Sequence, residues 1–316
     1  MKIAVLDADT LGADLDLSPL AKEGEARVFA GTTPEQVSAH IADADVAVVN
    51  KVRMNETTLA GVENLRLICV AATGYDNIDL AFCRDHGIAV CNVAGYSTDS
   101  VAELTLAMAL SLVTHLPAFC RHVQRGNYTK GGVANCLFPA YHELRGMTWG
   151  IAGYGNIGRA VGRAAEALGC RVQIFRRHPA PGEPAVDLDT LCRTSDILSV
   201  HLPLTAETHN LFDAAAVAKL KPGAVFINVA RGAVTDERAL ADAVLSGRLG
   251  GLGADVYTVE PMPKTHPFYA IRDRDNVCLT PHMAWGAVEA RQRCLFEIIE
   301  NIRAFKAGKA RSRVDV

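Results

Sequence analysis

Three short segments each close an apolar run with a side chain that can handle charge. They are Asn228-Val229-Ala230-Arg231-Gly232, Asp255-Val256-Tyr257-Thr258-Val259-Glu260-Pro261 and Thr280-Pro281-His282-Met283-Ala284-Trp285. Together they supply a guanidinium, a carboxylate and an imidazole. A guanidinium can orient a carboxylate or carbonyl oxygen and stabilise negative charge developing there. An imidazole exchanges protons near neutral pH, and an adjacent carboxylate fixes its tautomer and favours its charged form. Taken one at a time, such residues are more often a surface cation, a solvated turn acid and a structural histidine. All three segments stand at the C-terminal ends of predicted strands, where open α/β sheets bind ligands.

A fourth segment, Gly153-Tyr154-Gly155-Asn156-Ile157-Gly158, has the GxGxxG spacing. It ends the predicted strand Trp149–Gly153 and opens a helix that runs to about Leu168. The next strand is Arg171–Phe175. This is the strand–turn–helix–strand setting in which the motif cradles a dinucleotide pyrophosphate. Gly153 permits the tight turn, Gly155 lets backbone approach the phosphates, and Gly158 allows the helix to pack on the strand. Asn156 and Ile157 lie at the helix N-terminus, whose N–H groups and dipole favour phosphate. The fingerprint usually ends its second strand with an acid that holds the ribose 2′-hydroxyl. Here that strand ends in Arg176-Arg177-His178. A guanidinium binds a 2′-phosphate where a carboxylate would repel it, so NADP(H) is favoured, with NAD(H) possible.

The elements that must position these residues read as alternating β-rich runs and helices, the pattern of parallel sheets. Predicted strands in the first third are Ile3–Leu6, Val46–Val49, Leu67–Ala71 and Ala89–Asn92. Those in the second part are Trp149–Gly153, Arg171–Phe175, Ile197–His201, Ala224–Val229, Gly253–Val256 and Val277–Thr280. Near-continuous apolar character fits strands covered on both faces. Helices are expected from about Ser100 to Leu116, capped by Thr98 or Asp99, and from about Ala287 to Ala307. The segment from Arg125 to Tyr141 reads as a loop. The expectation is an α/β protein of two Rossmann-like or flavodoxin-like lobes with parallel sheets. Residues 1–98 and 288–316 form a discontinuous substrate lobe, and residues 99–287 an inserted dinucleotide-binding lobe. The cleft between lobes is the default site.

Composition limits the function classes. The chain has 316 residues, 49% of them apolar and 21% charged, which argues against a disordered chain. A formal net charge of −3 gives no general basic field for nucleic acid or acidic membranes. The start, Met1-Lys2-Ile3-Ala4-Val5-Leu6-Asp7, reaches an acid too early for a signal peptide, and no apolar stretch approaches membrane-spanning length. Nine scattered cysteines without CxxC spacing read as buried thiols in a reducing cytoplasm, and no metal site is expected.

The sequence resembles the D-isomer-specific 2-hydroxyacid dehydrogenases over nearly its whole length. The resemblance rests on GYGNIGRAVGRAAEALG at 153–169, HLPLTAETHNLF at 201–212, NVARGAVTDERAL at 228–240, DVYTVEP at 255–261 and TPH at 280–282. It implies that Arg231, Glu260 and His282 are catalytic, with His282 donating the proton during ketone reduction. It also implies cofactor contacts from Asn156, Ile157, Val229, Ala230, Arg231, Asp255 and His282, with Leu202 and Pro203 along the adenine side and Asp255 at the nicotinamide carboxamide. Ala72-Thr73-Gly74-Tyr75 resembles the family's loop for the substrate carboxylate, which falls on Thr73 and Gly74. Lys51 favours an anionic substrate, and Trp285 narrows the pocket. The segments at 92–103 and 282–285 look most like the glycerate dehydrogenase (hydroxypyruvate reductase) branch. Hydroxypyruvate or glyoxylate is therefore the expected 2-ketoacid, with D-lactate and 3-phosphoglycerate chemistry as alternatives. The family also implies a homodimer. A cofactor-sensing, corepressor-like binding protein on the same fold is the competing reading.

Overall fold

Two all-parallel sheets organise the chain in the computed structural model, which describes residues 1–316. They belong to two compact units, Met1–Ser97 with Gly286–Val316, and Thr98–Trp285. The expected α/β class with parallel sheets is what the chain adopts.

The first unit contains β1 (Lys2–Val5), β2 (Glu25–Val28), α1 (Val37–His40), β3 (Val46–Val49), β4 (Leu67–Val70), α2 (Leu80–Asp85) and β5 (Ala89–Cys91). Its strand order is β2-β1-β3-β4-β5. Strands β3 and β4 are buried at every residue, as a strand covered on both faces requires. The sequence reading has no counterpart of β2. Glu25-Ala26-Arg27-Val28 is a half-exposed edge strand with two charges, so it carries none of the apolar run by which the others are recognised.

Chain order reverses between β1 and β3, so their C-terminal ends flank the switch point of this sheet. Asp7, two residues past β1 and buried, fills the end of that gap. Its carboxylate accepts the backbone N–H groups of Asn50 at 2.9 Å, Lys51 at 2.6 Å and Val52 at 3.2 Å. Asn77 closes the same turn from the other side, its side chain donating to the Val52 carbonyl at 2.7 Å.

The second unit contains α3 (Thr98–Val113), α4 (Leu116–Gln124), α5 (Asn127–Gly131), β6 (Thr148–Ala152), α6 (Asn156–Ala167), β7 (Arg171–Phe175), α7 (Leu188–Thr194), β8 (Ile197–Val200), α8 (Ala214–Lys219), β9 (Val225–Asn228), α9 (Glu237–Leu245), β10 (Gly251–Ala254) and β11 (Val277–Leu279). The chain then returns to the first unit as α10 (Val288–Lys306). The second sheet has the order β11-β10-β9-β8-β6-β7. Its residues alternate between two cores. Phe226 of β9 joins Phe212, Leu198 and Val200 on one face, while Val225 and Ile227 join Trp149, Ile151 and Met108 on the other.

Three local expectations change. The helix after residue 97 starts at Thr98, so Thr98 and Asp99 are its first residues and not caps. It stops at Val113, and a separate α4 follows His115, which sits in the left-handed region at a φ of 53°. The stretch read as a loop also holds the short α5. From 114 to 148 no residue is buried, so no packed apolar face marks these helices in the sequence. No single helix is long and apolar enough to cross a membrane, although the bent pair α3 and α4, meeting at 64°, passes on length and composition. Half of α3 is buried within its own unit, which accounts for its apolar character.

Asp7→Ala leaves three backbone donors of a partly buried turn without an acceptor. It is expected to lower unfolding free energy by about 2–4 kcal/mol, with a smaller loss for Asp7→Asn. Urea denaturation of the two variants measures this, and an Asp7→Ala variant as stable as the parent removes Asp7 from this role.

Candidate active site

The phosphate loop lies at the switch point of the second sheet, where β7 lies on one side of β6 and β8 on the other. Gly153 has a φ of 93°, and a Cβ there would come within 2.7 Å of the His201 carbonyl carbon and oxygen. A Cβ on Gly158 would meet the Gly153 carbonyl oxygen at 2.2 Å. A Cβ on Gly155 would meet nothing within 4 Å, so the space over this residue is open. The first and last glycines are therefore required by the protein's own packing, and the middle one leaves room for a ligand. Gly155 also precedes α6 without a side-chain cap, so the N–H groups of the first turn, beginning at Asn156 and Ile157, have no capping side chain. This arrangement fits a dinucleotide pyrophosphate. Leu202 and Pro203 follow β8 beside Gly153, and Val229 and Ala230 follow β9.

The three charge-handling residues lie at neighbouring strand ends. Because β9, β10 and β11 are adjacent and parallel, Arg231, Glu260 and His282 all follow C-terminal ends on one edge of the sheet. Glu260 and His282 meet directly, with Oε2 2.6 Å from Nδ1. The other Glu260 oxygen, Oε1, accepts the Tyr257 N–H at 3.0 Å. His282 itself has a φ of 53°, uncommon for a residue with a side chain. Such geometry persists only where surroundings impose it, and functional sites are where it concentrates.

Asp255 imposes it. This buried carboxylate accepts the Thr280 hydroxyl at 2.6 Å and the Met283 N–H at 2.9 Å on Oδ1, and the Ala284 N–H at 2.9 Å on Oδ2. Its partners thus bracket His282 on both sides in sequence. Burial pushes the Asp255 pKa up, while these three donors and the nearby His282 pull it down. Trp285 ties the turn again, its indole N–H donating to the His282 carbonyl at 3.0 Å.

Arg231 is placed by a local clamp. The Asn228 side chain donates to the Arg231 carbonyl at 2.9 Å and accepts the Ala230 N–H at 3.0 Å. The next residue, Gly232, abuts the segment that carries Glu260. A Cβ on Gly232 would fall 2.1 Å from the Tyr257 carbonyl carbon. Lys51, Thr73 and Gly74 belong to the other unit. Within it, Asp7 fixes the Lys51 backbone, and Thr73 bonds through its hydroxyl to the Val93 carbonyl at 3.0 Å and through its carbonyl to the Asn92 side chain at 2.7 Å.

A pair that sequence reasoning missed lies behind Glu260. Glu237 and His266 are both buried, with Oε2 and Nε2 2.8 Å apart. Glu237 Oε1 accepts the Thr258 N–H at 2.9 Å, and His266 Nδ1 accepts the Phe268 N–H at 3.1 Å. The pair therefore holds the Tyr257–Glu260 segment from behind. Its only sequence signal is an acid in the first turn of α9, which ordinarily reads as a surface residue favoured by the helix dipole.

The arginines after β7 are engaged within the protein. Arg176 Nη1 lies 3.1 Å from Glu183 Oε1 and 3.2 Å from Oε2. Arg177 lies 3.3 Å from Glu207 in an exposed pair. On the opposite side of the phosphate loop, His201 Nε2 is 3.0 Å from the Ser199 hydroxyl, and its Nδ1 is sealed from solvent with no hydrogen-bond partner. Burial depresses the His201 pKa to about 3.

Comparison with known proteins agrees with this architecture. The sequence model of the D-isomer specific 2-hydroxyacid dehydrogenase NAD binding domain matches residues 106–284. The chain is similar to a glycerate dehydrogenase of Methylorubrum extorquens, 36% identical over 99% of both chains. It is also similar to a hydroxypyruvate reductase of Blautia hydrogenotrophica, 33% identical over 98% of both chains. Among solved structures, an acyclic imino acid reductase in complex with NADPH and D-Arg superposes with a TM-score of 0.87 at 28% identity, covering 99% of this chain and 100% of the other.

The depressed His201 pKa has a consequence for stability. A histidine in the unfolded chain takes a proton below about pH 6.5, whereas folded His201 stays neutral down to about 3. The folded state then binds fewer protons, so His201 favours folding above that window and loses its contribution as pH falls through it. Between pH 7 and pH 4.5 the His201→Asn variant is expected to lose about 1–3 kcal/mol less stability than the parent. Denaturation curves at both pH values measure this, and parallel losses in the two proteins contradict it. The matched domain, the full-length relatives and the two parallel-sheet units lead to one assignment: this chain belongs to the D-isomer specific 2-hydroxyacid dehydrogenase family of oxidoreductases and carries that family's nicotinamide-dinucleotide-binding domain.

Proposed function

We propose that the protein reduces a small 2-ketoacid, hydroxypyruvate or glyoxylate first, to the D-2-hydroxyacid, with His282 as proton donor. The observation that carries this reading is the 2.6 Å contact between Glu260 and His282, which follow the C-terminal ends of β10 and β11 on the same edge of the sheet as Arg231 after β9. A reduced nicotinamide, when bound, supplies the hydride. Arg231 binds the substrate carboxylate and keto oxygen, which orients the ketone and stabilises charge on that oxygen. His282 keeps Nδ1–H on Glu260, which leaves Nε2 to deliver its proton to the same oxygen. In the reverse direction Nε2 takes the proton back. Lys51, Thr73 and Gly74 are the substrate contacts proposed for the first unit, and Trp285 limits substrate size.

NADP(H) is the proposed cofactor, supported by the basic pair Arg176 and Arg177 where the fingerprint has an acid. Relatives named for glycerate, hydroxypyruvate and glyoxylate chemistry support the substrate class. Steady-state kinetics with hydroxypyruvate, glyoxylate, pyruvate and phosphohydroxypyruvate, each with NADPH and NADH, test the whole reading. The expected result is the highest kcat/KM with hydroxypyruvate or glyoxylate and NADPH. His282→Ala is expected to lower kcat by about 100-fold or more with dinucleotide affinity retained. Turnover near the parent value removes His282 from the mechanism. Dinucleotide binding without turnover of any ketoacid favours the cofactor-sensing alternative.

A homodimer is the proposed assembly. The stretch 114–148 buries no residue and exposes Leu137 (79%) and Phe138 (84%), a concentration of apolar surface that marks association sites. Sedimentation is expected to show a dimer at micromolar concentration, and Phe138→Asp to shift it toward monomer. A monomeric parent contradicts the proposal.

A further inference from the structure

The end of β7 already contains an anion. Glu183 reaches Arg176 Nη1 with both oxygens, at 3.1 and 3.2 Å, and its Oε1 also lies 3.1 Å from Nη1 of Arg159 on α6. Arg159 in turn lies over the Tyr154 ring of the phosphate loop, 5.0 Å from its centroid. The glutamate thus bridges one guanidinium from the helix of the phosphate loop and one from the position where the fingerprint acid would stand. Two guanidinium groups that share one carboxylate present the donors that a phosphate takes from the same place.

The position of Glu183 is built into the fold. Ile174 in β7 accepts the Val186 N–H at 2.9 Å and donates its own N–H to the Pro184 carbonyl at 2.9 Å, so the chain just past Glu183 runs alongside the strand. The Ala180 N–H donates to Glu183 Oε2 at 2.8 Å and closes a tight turn. The glutamate side chain is mostly buried, at 11% exposure, whereas its partner Arg159 is 46% exposed. The Ala180 N–H and, against the cost of burial, the Arg176 and Arg159 charges hold the Glu183 carboxyl below the usual carboxylate range, so it stays ionised at neutral pH.

We propose that Glu183 is a tethered anion that occupies the 2′-phosphate subsite of Arg159 and Arg176, and that it sets cofactor preference because a 2′-phosphate must displace it. This rests on the dinucleotide reading of the site and extends it to a residue seven positions past Arg176. A 2′-hydroxyl makes no such demand, so Glu183 narrows the margin by which a phosphorylated dinucleotide is preferred. Removing its charge frees both arginines for phosphate and leaves binding of the unphosphorylated ligand as it was.

The test is calorimetric titration of the full chain with 2′,5′-ADP and with 5′-ADP, which reports binding without turnover. Glu183→Gln is expected to tighten 2′,5′-ADP by about three- to tenfold and to change 5′-ADP by less than about twofold. Arg159→Met is expected to weaken 2′,5′-ADP, and the Glu183→Gln/Arg159→Met double variant to lose most of the gain. If Glu183→Gln disturbs folding, seen in thermal unfolding, Glu183→Asp serves instead, because the shorter side chain cannot span both arginines; the same direction is expected. An unchanged ratio of the two dissociation constants overturns the proposal. So does a weaker 5′-ADP complex, which would make Glu183 a ribose acceptor. The cofactor reading fails separately, if the parent binds 2′,5′-ADP no more tightly than 5′-ADP; a ratio that then rises in Glu183→Gln still supports the tethered anion.

Discussion

The contact between Glu260 and His282 is short, at 2.6 Å, and neither residue holds itself in place. His282 sits in a left-handed turn that its own side chain disfavours, and Glu260 sits on a segment with exposed neighbours. Each is set by a buried carboxylate beneath it. Asp255 collects three donors from the turn around His282. Glu237, backed by His266, takes the N–H of Thr258 two residues before Glu260. The geometry of the imidazole–carboxylate pair is thereby set by buried groups behind it. A buried carboxylate with its acceptor sites filled by backbone N–H groups defines position more sharply than packing alone, since each lost bond leaves an unsatisfied donor.

The two sheets meet a common constraint at their switch points, where strand ends diverge and backbone groups face an open gap. In the first unit Asp7 fills the gap from within, collecting the N–H groups of residues 50–52. In the second unit the gap is left open. Gly153 lies against His201, Gly158 lies against Gly153, and the space over Gly155 has no protein atom within reach of a Cβ. One sheet end is completed by the protein and the other is shaped for a phosphate. Glu183 shows an intermediate solution, in which a site for an anion is filled by an anion from the same chain.

Much of this was legible in the sequence because it depends on local chemistry. The glycine loop, the apolar strands buried on both faces, and the Arg, Glu and His at strand ends each have a signature within a few residues. The exposed edge strand β2 has none, because its four residues alternate charge with small apolar groups at a solvated edge. Helix α4 buries no residue, so no apolar face betrays it. The clamps were missed for a different reason. Glu237 and His266 stand 29 positions apart, and Asp255 and Ala284 also stand 29 apart. Nothing in either pair marks it until the strands bring it together. Position in the fingerprint marks Arg176, but nothing in the sequence pairs it with Glu183, seven residues on.

Glu260 and His282 are expected to act as one unit in ketoacid reduction. A double-mutant cycle in kcat for 2-ketoacid reduction, using Glu260→Gln, His282→Ala and the double variant, measures this directly. If the glutamate works through the imidazole, its replacement adds little once His282 is gone, and the double variant should fall within about threefold of His282→Ala. Losses that multiply would show two independent contributions and rule out a single Glu260–His282 unit.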